Sequence, residues 1–253
     1  MLCVTAVTGL PEIGAGFDLA AAIVAHLSAA SEPLPLQHGD VLVIAHKAIS
    51  KAEGRIRELR TVQPGPEAIA LATAQGKDPR HVQVVLDESS AIVRAAGGVI
   101  ITETRHGFVC ANAGVDASNA PGDEIVIMLP VDPDASARRL RGRIRELTGV
   151  SPGIVVTDSF GRAWRTGQCD IAIGCAGLRP LEDWRGGRDA RGHELRATVI
   201  AVADELAGAA DLARRKDSQE PVVLVRGAGR HVTAEDGPGV APLLRAREHD
   251  LFR

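Results

Sequence analysis

Three aliphatic runs constrain this chain more than any other feature: Asp40-Val41-Leu42-Val43-Ile44-Ala45, Gly153-Ile154-Val155-Val156-Thr157 and Pro221-Val222-Val223-Leu224-Val225. Each is short, bounded by turn residues and rich in β-branched side chains, so each predicts a buried strand. The stretches between them carry helical signals. Asp18 can cap a helix over residues 19–27, where apolar residues recur every three to four positions. Residues 66–75 fit a short helix, with Pro66 in its first turn and Gly76 beyond its end. Asp132-Pro133-Asp134 opens another, with Ala137, Leu140, Ile144 and Leu147 on one face and Gly149 as its stop. Residues 194–214 read as a long amphipathic helix. Residues 99–103 and 108–111 flank Thr104-Arg105-His106-Gly107 as a hairpin. Interleaved strands and helices with a hairpin predict an α/β (or α+β) fold with a mixed sheet. The 253 residues suffice for a single domain over 1–253, with room for two packed lobes.

The core must be aliphatic, because the chain has only four Phe, two Trp and no Tyr. The same shortage removes base-stacking platforms, and a net charge of −3 gives no footprint for a phosphate backbone, so a nucleic-acid partner is not expected. Cys3, Cys110, Cys169 and Cys175 lack any C-x-x-C spacing, which fits thiols in a reducing compartment rather than structural zinc. The first residues carry no basic segment followed by an apolar one, and no apolar run reaches bilayer length. A cytoplasmic protein without a membrane partner is the expectation.

Acidic residues at strand ends are the first chemical signal. Asp158 directly follows the second aliphatic run, and Asp116 lies in the small-residue loop Ala113-Gly114-Val115-Asp116-Ala117-Ser118-Asn119. The carboxyl ends of strands are where open α/β sheets place ligands. Two converging carboxylates would repel by about 4 kcal/mol at an effective dielectric of 20. A Mg²⁺ or Mn²⁺ ion reverses that sign and prefers such hard oxygens. Taken singly, each Asp is as well explained as a turn residue.

Three other segments suit a ligand. Gly9-Leu10-Pro11-Glu12-Ile13-Gly14 could wrap a base or ribose, or merely connect strand to helix. His46-Lys47-Ala48-Ile49-Ser50-Lys51 offers cations for phosphate oxygens, or a solvated surface. The densest polar run, 158–170, contains Arg162, Trp164, Arg165 and Gln168. It suits a carboxylate or phosphate beside a stacked ring, or a loop held by Arg–Asp pairs.

These segments together carry a resemblance. GLPEI (9–13), GDVLVIAHKAISKAEGR (39–55), ANAGVDASN (111–119), LPVDPDASARRLR (129–141), VVTDSFGRAWRTGQCDIAIGCAGL (155–178), ADELAGAADL (203–212) and PVVLVRG (221–227) run in the order of the coenzyme F420-0:L-glutamate ligase (F420 γ-glutamyl ligase) family. The chain is similar to that family over nearly its whole length. Some bacterial relatives add a C-terminal nitroreductase-like domain, and here the expectation is the stand-alone ligase.

The resemblance implies a GTP-dependent ligase of coenzyme F420 biosynthesis, adding L-glutamate to F420-0 through a γ-linked amide, in successive rounds and by way of an acyl phosphate. It implies Mg²⁺ or Mn²⁺, two ions, with K⁺ as a further expected cation, and the family's intertwined homodimer. Neighbouring readings are the same chemistry on dehydro-F420-0 or another acidic coenzyme tail, and a nucleotide-binding protein without catalysis. Carried over residue by residue, Leu10, Pro11, Glu12 and Ile13 form the first nucleotide loop. Lys51 and Asn119 contact nucleotide, Asp116 and Asp158 hold one metal as the catalytic carboxylates, and Ser159 serves the second. His46 also falls on a nucleotide contact, but at a position where many relatives carry Ser. Residues 213–220 depart from the family's Gly-Gln-acidic segment, leaving Lys216 as the expected phosphate contact. Arg162, Trp164, Arg165 and Gln168 are the expected substrate side.

Overall fold

Each aliphatic run becomes an interior strand, because a run apolar on both faces must be covered on both. In the computed structural model, which describes residues 1–29, 33–215 and 217–251, the chain begins with β1 (Cys3–Ala6) and α1 (Leu19–Ala29). It then passes through β2 (Val41–Ala45) straight into α2 (His46–Ala52). Smaller elements follow: β3 (Ile56–Glu58), α3 (Pro66–Gln75), α4 (Pro79–Asp87), β4 (Ser89–Ala96), β5 (Val99–Thr104), β6 (Val109–Ala111) and β7 (Ile125–Ile127). Helix α5 (Pro133–Thr148) leads into a long hairpin of β8 (Gly153–Arg162) and β9 (Arg165–Ala176). The short strands β10 (Glu182–Asp183) and β11 (Val199–Ile200) precede α6 (Val202–Ala213) and β12 (Val222–Arg226).

The main sheet has the order β1-β12-β2-β8-β9, so the three aliphatic runs are its three central strands. Strands β2 and β8 are parallel, with Val41 opposite Gly153 and Ala45 opposite Thr157. The other neighbours are antiparallel, which makes the sheet mixed as the sequence predicts. Helices α5 and α6 pack on β9, and α1 packs on α5. A second apolar cluster, built from Leu59, Ala68, Val82, Val85, Ile100, Val126 and Met128, lies among the smaller elements.

The local punctuation works as read. Asp18 accepts the Ala21 N–H at 3.0 Å, and Asp132 accepts that of Ala135 at 2.8 Å. Gly76 and Gly149 take left-handed φ values of 64° and 75° to end α3 and α5. The long helix expected from residue 194 instead starts at Val202. Thr198-Val199-Ile200 favours extended backbone; Glu182 pairs with Ile200, and Thr198 accepts from the Trp184 N–H. Leu147, expected on the buried face of α5, is exposed. The polar run 158–170 is not a loop, since β8 continues to Arg162 and β9 returns from Arg165. Among the described residues, no helix is long and apolar enough to cross a membrane.

Candidate active site

The site begins where β2 ends. Ala45 is extended, and the next residue already belongs to α2 without a side-chain cap. His46 and Lys47 therefore leave a buried strand one after the other and point apart. His46 is 1 % exposed. Its Nδ1 lies 3.2 Å from Ser50 Oγ, one helical turn on, and its Nε2 lies 3.4 Å from Asp158 Oδ1. The parallel register of β2 and β8 brings Asp158 there. The same Oδ1 accepts the Ser159 N–H at 2.8 Å. Cys110, on β6, has its thiol pushed up to about 12 by burial and, secondarily, by the Asp158 charge.

Lys47 faces the other acid. Its ammonium donates to Asp116 Oδ2 at 2.5 Å, to Ser118 Oγ at 2.5 Å and to the Ser118 carbonyl at 3.1 Å. The Asp116 loop is shaped by left-handed backbone at Asn112, Ala113 and Gly114, with φ of 53°, 54° and 70°, an uncommon run that two non-glycine residues enter only when the surroundings hold them. It is also pinned by a reciprocal pair, Asp116 N–H to the Ile127 carbonyl at 3.0 Å and the reverse at 2.8 Å. The carboxylate accepts the Ser118 N–H and hydroxyl at 2.8 and 2.6 Å. Burial opposes its ionisation, but Lys47 and Ser118 outweigh burial and hold it below the ordinary 3.8.

Lys51, one turn after Lys47, donates to Glu12 Oε1 at 2.6 Å, and the Gly16 N–H donates to the Ala52 carbonyl at 2.8 Å. These two contacts tie the 10–13 loop to α2. Within that loop Ile13 is buried, Leu10 is half-buried against the main core, and Pro11 and Glu12 are exposed.

Ser159 belongs to the opposite face of β8, because strand side chains alternate. Its hydroxyl donates to Asp170 Oδ1 at 2.6 Å, and that of Thr157 donates to Asp170 Oδ2 at 2.9 Å. Arg214, just past α6, donates to the same buried carboxylate and reaches Thr157 Oγ1 at 3.0 Å. Asp158 and Ser159, adjacent in sequence, thus serve different sides of the sheet.

Of the remaining expected residues, Asn119 shares the Asp116 loop, four lie at the far end of the β8–β9 hairpin, and one falls outside the described residues. Asn119 is exposed in the Asp116 loop with a φ of 56°. Arg162, Trp164, Arg165 and Gln168 are all exposed at the far end of the β8–β9 hairpin. Arg162 lies four positions along the strand from Asp158, about 13 Å at strand rise. Lys216 lies outside the described residues.

Among the described residues, no three His, Cys, Asp or Glu side chains converge as a metal cluster. The donors nevertheless fit a hard divalent ion. Asp116 is ionised and faces the Lys47 ammonium, and Asp158 is half-buried against His46; Mg²⁺ needs only one or two carboxylates when phosphate oxygens and water complete its shell. On the other face, the charge of Asp170 is already balanced by Arg214. The sequence signal had reached Lys47 as one cation of its segment, but not its pairing with Asp116. The Asp170–Arg214 pair carried no local signal at all.

Residues 9–227 match the family described as F420-0:Gamma-glutamyl ligase. The coenzyme F420:L-glutamate ligase of Methanothermobacter thermautotrophicus is 46 % identical over 248 residues, which cover 98 % of this chain and 97 % of that protein. The protein of that name from Methanopyrus kandleri is 48 % identical over 88 % of this chain and 89 % of its own. That from Methanocaldococcus jannaschii is 46 % identical over 87 % and 86 %.

Proposed function

The chain belongs to the F420-0:gamma-glutamyl ligase family, and from that premise we propose that it joins L-glutamate to coenzyme F420-0 through a γ-linked amide, using GTP and a divalent metal. The observation that carries the reading is the meeting of two acids, distant in sequence, with two consecutive residues: Asp158 with His46 and Asp116 with Lys47.

A carboxylate is a poor electrophile. In this reading the γ-phosphoryl group of GTP passes to the terminal carboxylate of F420-0, releasing GDP and leaving an acyl phosphate. The amine of glutamate then attacks the acyl carbon, the C–O bond to phosphate breaks, and the amide forms as a proton leaves the nitrogen. Such chemistry depends on positioning and charge stabilisation more than on a protein nucleophile. Asp116 and Asp158 would hold Mg²⁺ or Mn²⁺, which when bound would supply neutralisation of the phosphate oxygens, whereas Ser159 faces the other side of the sheet with Asp170 and Arg214 and does not fit the second ion. The loop of Leu10, Pro11, Glu12 and Ile13, tied to α2 through Lys51, would line the nucleotide.

A homodimer belongs to the same proposal. Strand β4 is exposed along most of its length, although it presents Ile92 and Val93, and Val99 beside it is exposed too. Trp164 is 77 % exposed at the hairpin tip. Exposed apolar surface of this kind marks interaction sites.

The test is an incubation with F420-0, glutamate, GTP and Mn²⁺ or Mg²⁺, read by product mass. The expected result is one added glutamyl residue with release of GDP and phosphate. No mass gain with either metal would overturn the reading, and a gain on dehydro-F420-0 alone would redirect it to that acceptor. Sedimentation should give the mass of two chains.

A further inference from the structure

The contacts of Lys47 go beyond a salt bridge. Three oxygens surround its ammonium, Asp116 Oδ2, Ser118 Oγ and the Ser118 carbonyl, all within 3.1 Å. The side chain is 19 % exposed. Lys51, on the same helix, meets a carboxylate that is mostly open to solvent. Asp116 has both oxygens engaged by its own chain, Oδ1 by the Ser118 N–H and Oδ2 by Lys47 and the Ser118 hydroxyl. Its backbone is held by Ile127, which fixes the loop that carries the carboxylate. An ammonium among three oxygens occupies the place a cation would take.

We propose that Lys47 is a tethered cation that keeps Asp116 closed to a divalent metal until an anionic nucleotide arrives, so that metal and nucleotide load together. The inference rests on the reading of Asp116 as a metal ligand. The physical reason is charge. A divalent ion reaching Asp116 alone would displace the ammonium and leave it close by, since α2 tethers it, and two positive centres in a half-buried site repel. Phosphate oxygens arriving with the metal offset that repulsion and give the displaced ammonium acceptors. Entry of metal without nucleotide is therefore disfavoured by the chain itself.

The experiment is Mn²⁺ binding to the nucleotide-free protein, followed by electron paramagnetic resonance of the free ion, with GDP added in a parallel series. Lys47→Met keeps the aliphatic stem and removes the charge. It should bind Mn²⁺ alone at least about tenfold more tightly than the wild type, and GDP should raise its Mn²⁺ affinity by a smaller factor. Adding Asp116→Asn to Lys47→Met should abolish the gain. Ser118→Ala, which removes one oxygen from the ammonium, should move in the same direction by a smaller factor, and it decides the matter if Lys47→Met fails to fold. The proposal is overturned if the variants bind Mn²⁺ no better than the wild type while the wild type with GDP binds it well. No Mn²⁺ binding by the wild type with GDP would instead remove the metal reading of Asp116, and this proposal with it.

Discussion

His46 and Asp158 face each other across the parallel seam between β2 and β8, with Nε2 3.4 Å from Oδ1 and the imidazole enclosed by the core. Ser50 holds the other ring nitrogen, so the ring stands as a fixed wall beside the carboxylate. Replacing it by serine leaves a void. His46→Ser should cost about 2–3 kcal/mol, which lowers Tm by about 5–10 °C for a chain of this size. An unchanged melting temperature would show that the ring is not a packing element.

Asp116→Asn and Asp158→Asn each remove one negative oxygen from the candidate metal site. Each should lower turnover about a thousandfold or more while leaving the far-ultraviolet circular dichroism intact. Near-normal activity in either variant would remove that residue from the site.

Asp170 is buried and joined to Arg214 at the end of α6. Arg214→Met takes the guanidinium from an enclosed carboxylate and should cost about 3 kcal/mol in urea denaturation. Adding Asp170→Asn should recover part of that loss, because the uncompensated charge goes too. A double variant less stable than Arg214→Met would contradict this account.

Asp78 caps α4, accepting the Arg80 N–H at 2.8 Å, and hydrogen bonds from the Arg80 side chain are foremost in holding its carboxyl below the ordinary 3.8. A depressed value in the folded state means the stabilisation is complete above the unfolded value and disappears as pH falls through the folded one. Asp78→Ala should therefore cost about 1 kcal/mol near neutrality, and the gap from the wild type should close only in acid below 3.8. A gap independent of pH would mean the carboxylate charge plays no part.

Cys110 and Cys175 are buried, and burial foremost pushes each thiol up to about 12. The thiolate is the reactive form, so native alkylation should mark Cys3, which is exposed, and Cys169 more slowly, and should spare the other two. Mass spectrometry of peptides gives the answer. Rapid labelling of Cys110 would mean that the wall beside Asp158 opens.

Helix caps, helix stops and the three central strands were legible because each depends on a few neighbouring residues: Asp18, Asp132, Gly76, Gly149 and the aliphatic runs. Where a local pattern competed with pairing, the reading failed. Val199-Ile200 belonged to a strand through its partners Asp183 and Glu182, and the polar run after Asp158 became a hairpin through its register with β9. Motif order marked Asp116, Asp158, Ser159 and Lys51 as a set, but could not say which of them face one another.

The sequence by itself determined the three central strands, the hairpin of β5 and β6, the capped helices α1, α3 and α5, and which family of chains this one joins, since periodicity, capping and motif order are written in consecutive residues. Only the tertiary structure decided that Lys47 closes on Asp116, that His46 stands against Asp158, and that Ser159 turns to the other face with Asp170 and Arg214. Those relations depend on strand register and on one strand passing without a break into a helix. Both are set by the packing of segments far apart in the chain.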